Sequence, residues 1–349
     1  MNTRKRIYIA YTGGTIGMQK SSDGYAPEPG NLAAVLEQMP ELRDPEMPEY
    51  TIHEYETLLD SANMSPKHWL DIAHDIRDHY SAYDGFIVLH GTDTMAYTAS
   101  ALPFMLRGLD KPVILTGSQI PLCEIRNDGR DNIITALIIA ANYAIPEVCL
   151  YFGERLLRGC RSKKVNADGF RAFDSPNFPP LGTAGIDISI NWELIIEPEV
   201  KDNTLSPGLQ IQELEDHVVA ALRIFPGISA QLVDNLLQPP LKGLVLEAYG
   251  VGNGPAQDSD FIDALRRASD RGVVMVDCSQ CLRGRVDLRG YKTGAALANA
   301  GVISGYDMTV EAALAKLYYL FSAGYDPEQV KSMIQKNLRG ELTASLMRE

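Results

Sequence analysis

The chain has 349 residues, 45% of them hydrophobic and 22% charged. That is the composition of a globular protein with enough length for two domains, and it excludes long disorder. A formal net charge of -13 excludes a nucleic-acid or anionic-membrane partner, because binding phosphate requires a basic surface. No apolar run approaches the roughly 20 residues that cross a bilayer.

Arg4, Lys5 and Arg6 imitate the start of a signal peptide. The apolar run behind them stops at Gly13, short of a signal core of about 7–15 residues. A cytoplasmic location is therefore expected. Five irregularly spaced cysteines agree with a reducing compartment rather than a disulfide framework. Cys278-Ser279-Gln280-Cys281 has no second Cys/His pair nearby and is expected to be two ordinary thiols. The histidines lack the His-Glu-x-x-His spacing, so no metal is expected.

Arg6 to Tyr11 is β-branched and aromatic and predicts a buried parallel strand. Tyr11-Thr12-Gly13-Gly14-Thr15-Ile16-Gly17 follows, with paired glycines that permit a tight turn and a close backbone approach. Alone, this turn is either a conformational device or a ligand site at a strand end. Gln19 to Asn31 is rich in Ser, Asp, Gly and Pro and predicts a long surface loop, a candidate lid with Tyr25 as its closing group. A short helix is expected over 32–39 and a strand over 50–55, leading to Asp60-Ser61-Ala62. Ser65-Pro66 is an N-cap with proline at the first helical position, and opens a helix to about Tyr80.

Gly85 to His90 is another apolar strand and runs into Gly91-Thr92-Asp93-Thr94. A helix from about 96 to 106 follows, then Pro112 to Leu115 and Thr116-Gly117-Ser118-Gln119. Three apolar strands thus each end in a cluster of Gly with Thr, Ser or Asp, and in a parallel sheet the clusters share one edge. Arg130 to Tyr143 predicts a helix and Glu147 to Phe152 a strand. Arg155 to Asp174 is cationic and reads as a solvated face or subunit contact, although one of its lysines would serve the threonine edge if it turned inward. Asn191 to Gln212, with Pro198 and Leu205-Ser206-Pro207-Gly208, is expected to link two domains.

Buried strands are then expected over 218–224, 241–246 and 272–277, with helices near 228–237, 258–270, 309–323 and 327–337. The expected fold is α/β, with two doubly wound three-layer domains. The larger, residues 1–190, has a mostly parallel sheet. The smaller, residues 213–349, is flavodoxin-like.

The clusters suggest chemistry without fixing it. Gly91-Thr92-Asp93-Thr94 sets a hydroxyl beside a carboxylate, equally suited to capping a helix or to holding an amino-acid ammonium group. A threonine nucleophile needs an adjacent base, and Lys163 or Lys164 qualifies only if it meets the threonines. The glycine turn fits neither a phosphate loop, which needs Gly-Lys-Ser/Thr at its end, nor the Gly-x-Gly-x-x-Gly dinucleotide fingerprint.

Thr12-Gly13-Gly14-Thr15-Ile16 and His90-Gly91-Thr92-Asp93-Thr94 resemble the two signature segments of bacterial-type L-asparaginases, and the resemblance extends from about residue 5 to the C-terminus. It takes in Asp60-Ser61, Lys164 and Tyr249-Gly250-Val251-Gly252-Asn253, and is nearest the cytoplasmic type I branch. It implies hydrolysis of L-asparagine to L-aspartate and ammonia through a β-aspartyl ester on Thr15. Tyr25 would assist from the lid, and Thr92, Asp93 and Lys164 would form a second polar triad. Asp60, Ser61, Ala62, Thr92 and Asp93 would hold the substrate, with Thr12 left to support the turn. Asn253 would reach a neighbouring subunit's site, because relatives form intimate dimers and often tetramers. No cofactor is implied.

The sequence departs from the pattern at one position. Some type I relatives carry an arginine before the Tyr-Gly-Val-Gly-Asn segment, at a second asparagine site, where this chain has Glu247-Ala248; weak or absent cooperativity is expected. A glutaminase-asparaginase with a roomier pocket and a non-catalytic amino-acid sensor remain the alternatives. The sensor does not need two hydroxyls and a base.

Overall fold

The computed structural model describes residues 4–22, 24–197 and 208–343. The chain divides into two compact units, Met1–Gln212 and Glu213–Glu349. In the first, β1 (Arg6–Gly13) leads to β2 (Met18–Ser21), β3 (Gly24–Pro27), α1 (Asn31–Gln38), β4 (Glu49–Leu59), α2 (Pro66–His79), β5 (Gly85–Leu89) and α3 (Met95–Met105). β6 (Leu106–Arg107), β7 (Val113–Thr116), α4 (Gly129–Asn142), β8 (Val148–Phe152) and β9 (Arg155–Arg158) follow. The short strands β10 (Lys163–Lys164), β11 (Phe173–Asp174), β12 (Gly182–Ala184), β13 (Ile188–Ile190) and β14 (Gln210–Ile211) complete the unit.

Among the described residues, eight strands join in the order β13-β12-β9-β8-β7-β5-β1-β4. The pairs from β8 through β7, β5 and β1 to β4 are parallel, and β9, β12 and β13 extend the sheet antiparallel. Strands buried on both faces are apolar along their length, as β5 is throughout and β7 is up to Thr116. Ile7, Ile9 and Tyr11 share one core with Ile87, Leu89, Ile114 and residues of α1 and α4. The alternate residues Tyr8, Phe86, Val88 and Leu115 are buried as well, on the side where α2 and α3 pack. This is the period of two that a covered parallel sheet requires.

Two expectations change here. Gln19 to Asn31 is not an irregular loop: β2 and β3 pair antiparallel, with Lys20 opposite Tyr25. A polar, exposed two-stranded ribbon has no apolar alternation to reveal it in the sequence. The cationic run from Arg155 is not a solvated face throughout. Arg158 and Arg161 are buried, and both guanidinium groups lie over the Phe178 ring. Arg158 also forms a two-pronged ion pair with Glu147 at 2.6 and 3.0 Å. Planar guanidinium suits such paired, stacked burial.

The described parts of 191–212 belong to the first unit. Arg158 donates to the Leu194 carbonyl, the Ile196 amide donates to Glu147, and β14 pairs with β6. Pro198 and Leu205-Ser206-Pro207, the strongest linker signals, lie outside the described residues.

In the second unit β15 (Val219–Arg223), α5 (Ala230–Leu236), β16 (Gly243–Ala248), α6 (Ser259–Asp270), β17 (Val274–Ser279), α7 (Lys292–Asn299), β18 (Val302–Ser304), α8 (Val310–Ser322) and α9 (Pro327–Ile334) succeed one another. The sheet runs β15-β16-β17-β18, parallel throughout. Leu244, Leu246 and Met275 face a core completed by α5, α6 and α7. Val245, Val274 and Val276 face another, completed by α8 and α9. Both units are therefore three-layered α/β structures, the smaller one wholly parallel. β18 and α7 escape sequence analysis because one has three residues and the other carries a glycine and little apolar periodicity.

Candidate active site

β7, β5 and β1 are neighbours with one direction, so the polar clusters after them share the carboxyl edge of the sheet. The glycines let these clusters touch. Gly14 has φ of +88°, and a side-chain carbon there would lie 2.4 Å from the Gly91 amide nitrogen. One on Gly91 would meet Ser61 Oγ at 2.6 Å. Glycine at both positions thus brings the turn after β1, the turn after β5 and the segment after β4 into backbone contact.

Each threonine pair then divides by role. Thr12 is buried, and its hydroxyl donates to the Leu89 carbonyl at 2.9 Å. Thr15 starts a 3-10 turn, is half-buried, and lines a cleft of about 710 Å³ with Met18, Tyr25, Gln119 and Glu124. Thr94 donates to the Ser61 carbonyl at 2.7 Å. Thr92 is buried and receives the Lys164 ammonium at 2.8 Å from its Oγ1. The same ammonium donates to Asp93 Oδ1 at 2.7 Å.

Lys164 reaches this edge from β10, paired antiparallel with β11. Its side chain is 19% exposed and that of Asp93 66%, so the inner half of the trio is shielded while Asp93 stays open to a ligand. Asp60 is exposed, caps the turn Ser61–Asn63 and accepts from the Ala62 amide at 3.0 Å. Ser61 is buried and Ala62 exposed. Tyr25, 47% exposed, donates to Glu124 at 2.7 Å. That acceptor, beside the hydroxyl, raises the Tyr25 pKa.

His90 is wholly buried. Burial pulls its pKa down to about 4, so the ring is neutral at pH 7. Nδ1 lies 2.7 Å from the Gly91 carbonyl and Nε2 2.9 Å from Thr98 Oγ1. A carbonyl only accepts, so Nδ1 carries the proton and Nε2 accepts from the threonine. The ring tethers the Gly91 turn to α3.

Of the sequence-predicted residues, Thr15, Tyr25, Asp60, Ser61, Ala62, Thr92, Asp93 and Lys164 all lie in the first unit. Asn253 lies in the second unit, where its Oδ1 accepts from Thr293 and its main chain bridges to Tyr249. Glu247, in register with Arg223 on β15, lies 3.3 Å from that guanidinium. Gln119, Glu124 and Asp128 were not singled out by sequence analysis. Gln119 ends the third cluster and was the one signal available.

Two family descriptions match the chain: "Asparaginase, N-terminal" over residues 6–196 and "Glutaminase/Asparaginase C-terminal domain" over residues 218–334. L-asparaginase 1 of Escherichia coli is 53% identical, over 97% of this chain and 98% of its own length. Human "60 kDa lysophospholipase" is 45% identical over 99% of this chain, which spans 63% of that protein. The crystal structure of L-asparaginase I from Vibrio cholerae superposes with a TM-score of 0.88 at 51% identity, covering 98% of this chain and all of that one. The chain belongs to the asparaginase family.

Proposed function

We propose that the chain is an L-asparagine amidohydrolase in which Thr15 is the nucleophile and Thr92, Asp93 and Lys164 form the supporting triad. Hydrolysis of L-asparagine to L-aspartate and ammonia follows from the family and from 53% identity over nearly the whole chain to an L-asparaginase. The observation that carries the mechanism is the Lys164 ammonium bridging Thr92 and Asp93 at 2.8 and 2.7 Å. Binding alone does not need a lysine held against a hydroxyl.

Thr15 Oγ attacks the side-chain amide carbon, its proton passes to the departing nitrogen, and ammonia leaves a β-aspartyl ester. Water then adds to the ester carbon, the bond to Thr15 Oγ breaks, and a water proton returns to the threonine. In this reading the Thr92 main-chain N–H stabilises the oxyanion formed in both steps. Tyr25 assists Thr15 when the β2–β3 ribbon closes, which requires its hydroxyl to leave Glu124. Asp60 and Asp93 hold the α-ammonium group, with Ser61 and the Ala62 main chain at the α-carboxylate.

Asn253 serves a neighbouring subunit's site in an intimate dimer, and two such dimers make a tetramer; sedimentation equilibrium reads that assembly directly. A cytoplasmic location accords with five free cysteines. Ammonia release from asparagine and from glutamine, compared between wild type and Thr15→Ala, tests the central assignment. Loss of both activities in the variant is expected, with asparagine the faster wild-type substrate. Retained hydrolysis would remove Thr15 from the mechanism, and equal rates on both amides would make the enzyme a glutaminase-asparaginase.

A further inference from the structure

Gln119 stands at the carboxyl end of β7, held from two sides. Its main-chain N–H donates to both Asp128 carboxylate oxygens at 3.0 Å, and the Ile120 amide donates to the same group at 3.1 Å. Its side-chain Nε2 donates to the carbonyls of Ala167 at 3.0 Å and Gly169 at 3.3 Å. Carbonyls only accept, so the amide nitrogen must face them. The amide oxygen is thereby turned the other way, to 3.1 Å from Thr92 Oγ1.

The consequence falls on one hydrogen atom. A threonine hydroxyl has one proton to donate and two lone pairs. The amide oxygen of Gln119 can only accept, so it takes the Thr92 proton. The Lys164 ammonium can only donate, so its contact at 2.8 Å occupies one lone pair. What Thr92 has left is a single lone pair, and nothing else.

We infer that Gln119 is a positioning residue that fixes the sense of the Thr92 hydroxyl and leaves it an acceptor toward the cleft. The inference rests on the proposed catalytic reading of Thr92. An acceptor there suits the second half of the reaction. The attacking water donates one hydrogen to Thr92 and so points its own lone pair at the ester carbon. The C–O bond to Thr15 then breaks and a water proton returns to that oxygen, with Thr92 unchanged throughout. Without Gln119 the hydroxyl rotates, and in part of the population it offers its hydrogen where the water must offer one.

A cycle of Gln119→Met, Thr92→Val and the double variant tests this, with kcat and KM for asparagine measured on each. Gln119→Met should lower kcat by about 10- to 100-fold and leave KM within about threefold, since the residues holding the substrate's α-groups are untouched. Thr92→Val should lower kcat further. The double variant should be no slower than Thr92→Val, because a residue acting only through another adds nothing once that other is gone.

Losses that multiply, or a KM that rises with the fall in kcat, would mean that Gln119 only holds the loop at 167–169. Wild-type kcat in Thr92→Val would overturn both this inference and the catalytic reading of Thr92. Multiplying losses with an impaired Thr92→Val would overturn the inference alone. Gln119→Ala, carried through the same cycle, keeps the test standing should the methionine variant not fold.

Discussion

The turns after β1 and β5 are built alike and divide their threonines alike. In each, one hydroxyl satisfies a backbone carbonyl and the other is left to the cleft or to side chains. Thr12 donates to Leu89 and Thr94 to Ser61, whereas Thr15 lines the cleft and Thr92 receives Lys164. The residue type is the same in all four places. What differs is the partner that each hydroxyl meets: a backbone carbonyl for Thr12 and Thr94, the cleft for Thr15 and a charged side chain for Thr92. Under the proposed mechanism the first kind of threonine serves stability and the second rate, and variants should separate them.

Thr15→Ala should abolish turnover by roughly 10⁴-fold or more with folding unchanged, since without the nucleophile no covalent ester can form. Lys164→Met should cost about 10²-fold or more in kcat, the usual weight of a preorganised charged donor in the site. Thr12→Val and Thr94→Val should instead lose about 1–2 kcal/mol of stability in denaturant titration, the penalty for leaving a buried acceptor unsatisfied. If Thr12→Val were as inactive as Thr15→Ala while folding normally, the division of roles would fail.

The second sheet offers a contrasting polar strand end. Asp277 on β17 is wholly buried, with no well-formed hydrogen bond to either carboxylate oxygen among the described residues and only a weak contribution from the Ala248 main chain. Desolvation raises its pKa to about 8, above its unfolded value. The folded state therefore holds a proton that the unfolded state releases first, so this group's contribution declines as pH rises from about 4 to 8. Asp277→Asn should raise stability at pH 7 by on the order of 4 kcal/mol and change little at pH 4. An equal effect at both pH values would contradict the assignment. The smallest expected effect is kinetic: with Glu247 facing Arg223, rate against asparagine concentration should be hyperbolic, and a sigmoidal curve would show a second site at work.

Much of this molecule was legible in the sequence, for physical reasons that vary by element. Strands buried on both faces must be apolar along their length, so β1, β5, β16 and β17 announced themselves. The Ser65-Pro66 signal gave the start of α2 for the same kind of reason, a local requirement met by few residue types. The shared edge followed from parallel strands that each end in glycine and hydroxyl residues.

What stayed hidden depends on contacts between distant residues. Lys164 was one cation in a polar run, and nothing local said that it would cross 71 positions to Asp93. Arg158 looked solvated because its partner, Glu147, lies just before the preceding strand, β8. The direction of the Gln119 amide is set by two carbonyls that themselves carry no sequence signal. Which threonine is the nucleophile came from family resemblance; the sorting of Thr12 onto a backbone carbonyl gives that choice a structural reason.

The most direct test is chemical. Wild-type enzyme quenched in acid during turnover of asparagine, then digested and mapped by mass spectrometry, should carry an aspartyl ester on the peptide containing Thr15. The same ester on the peptide containing Thr92 would contradict the division of the threonines on which this account stands.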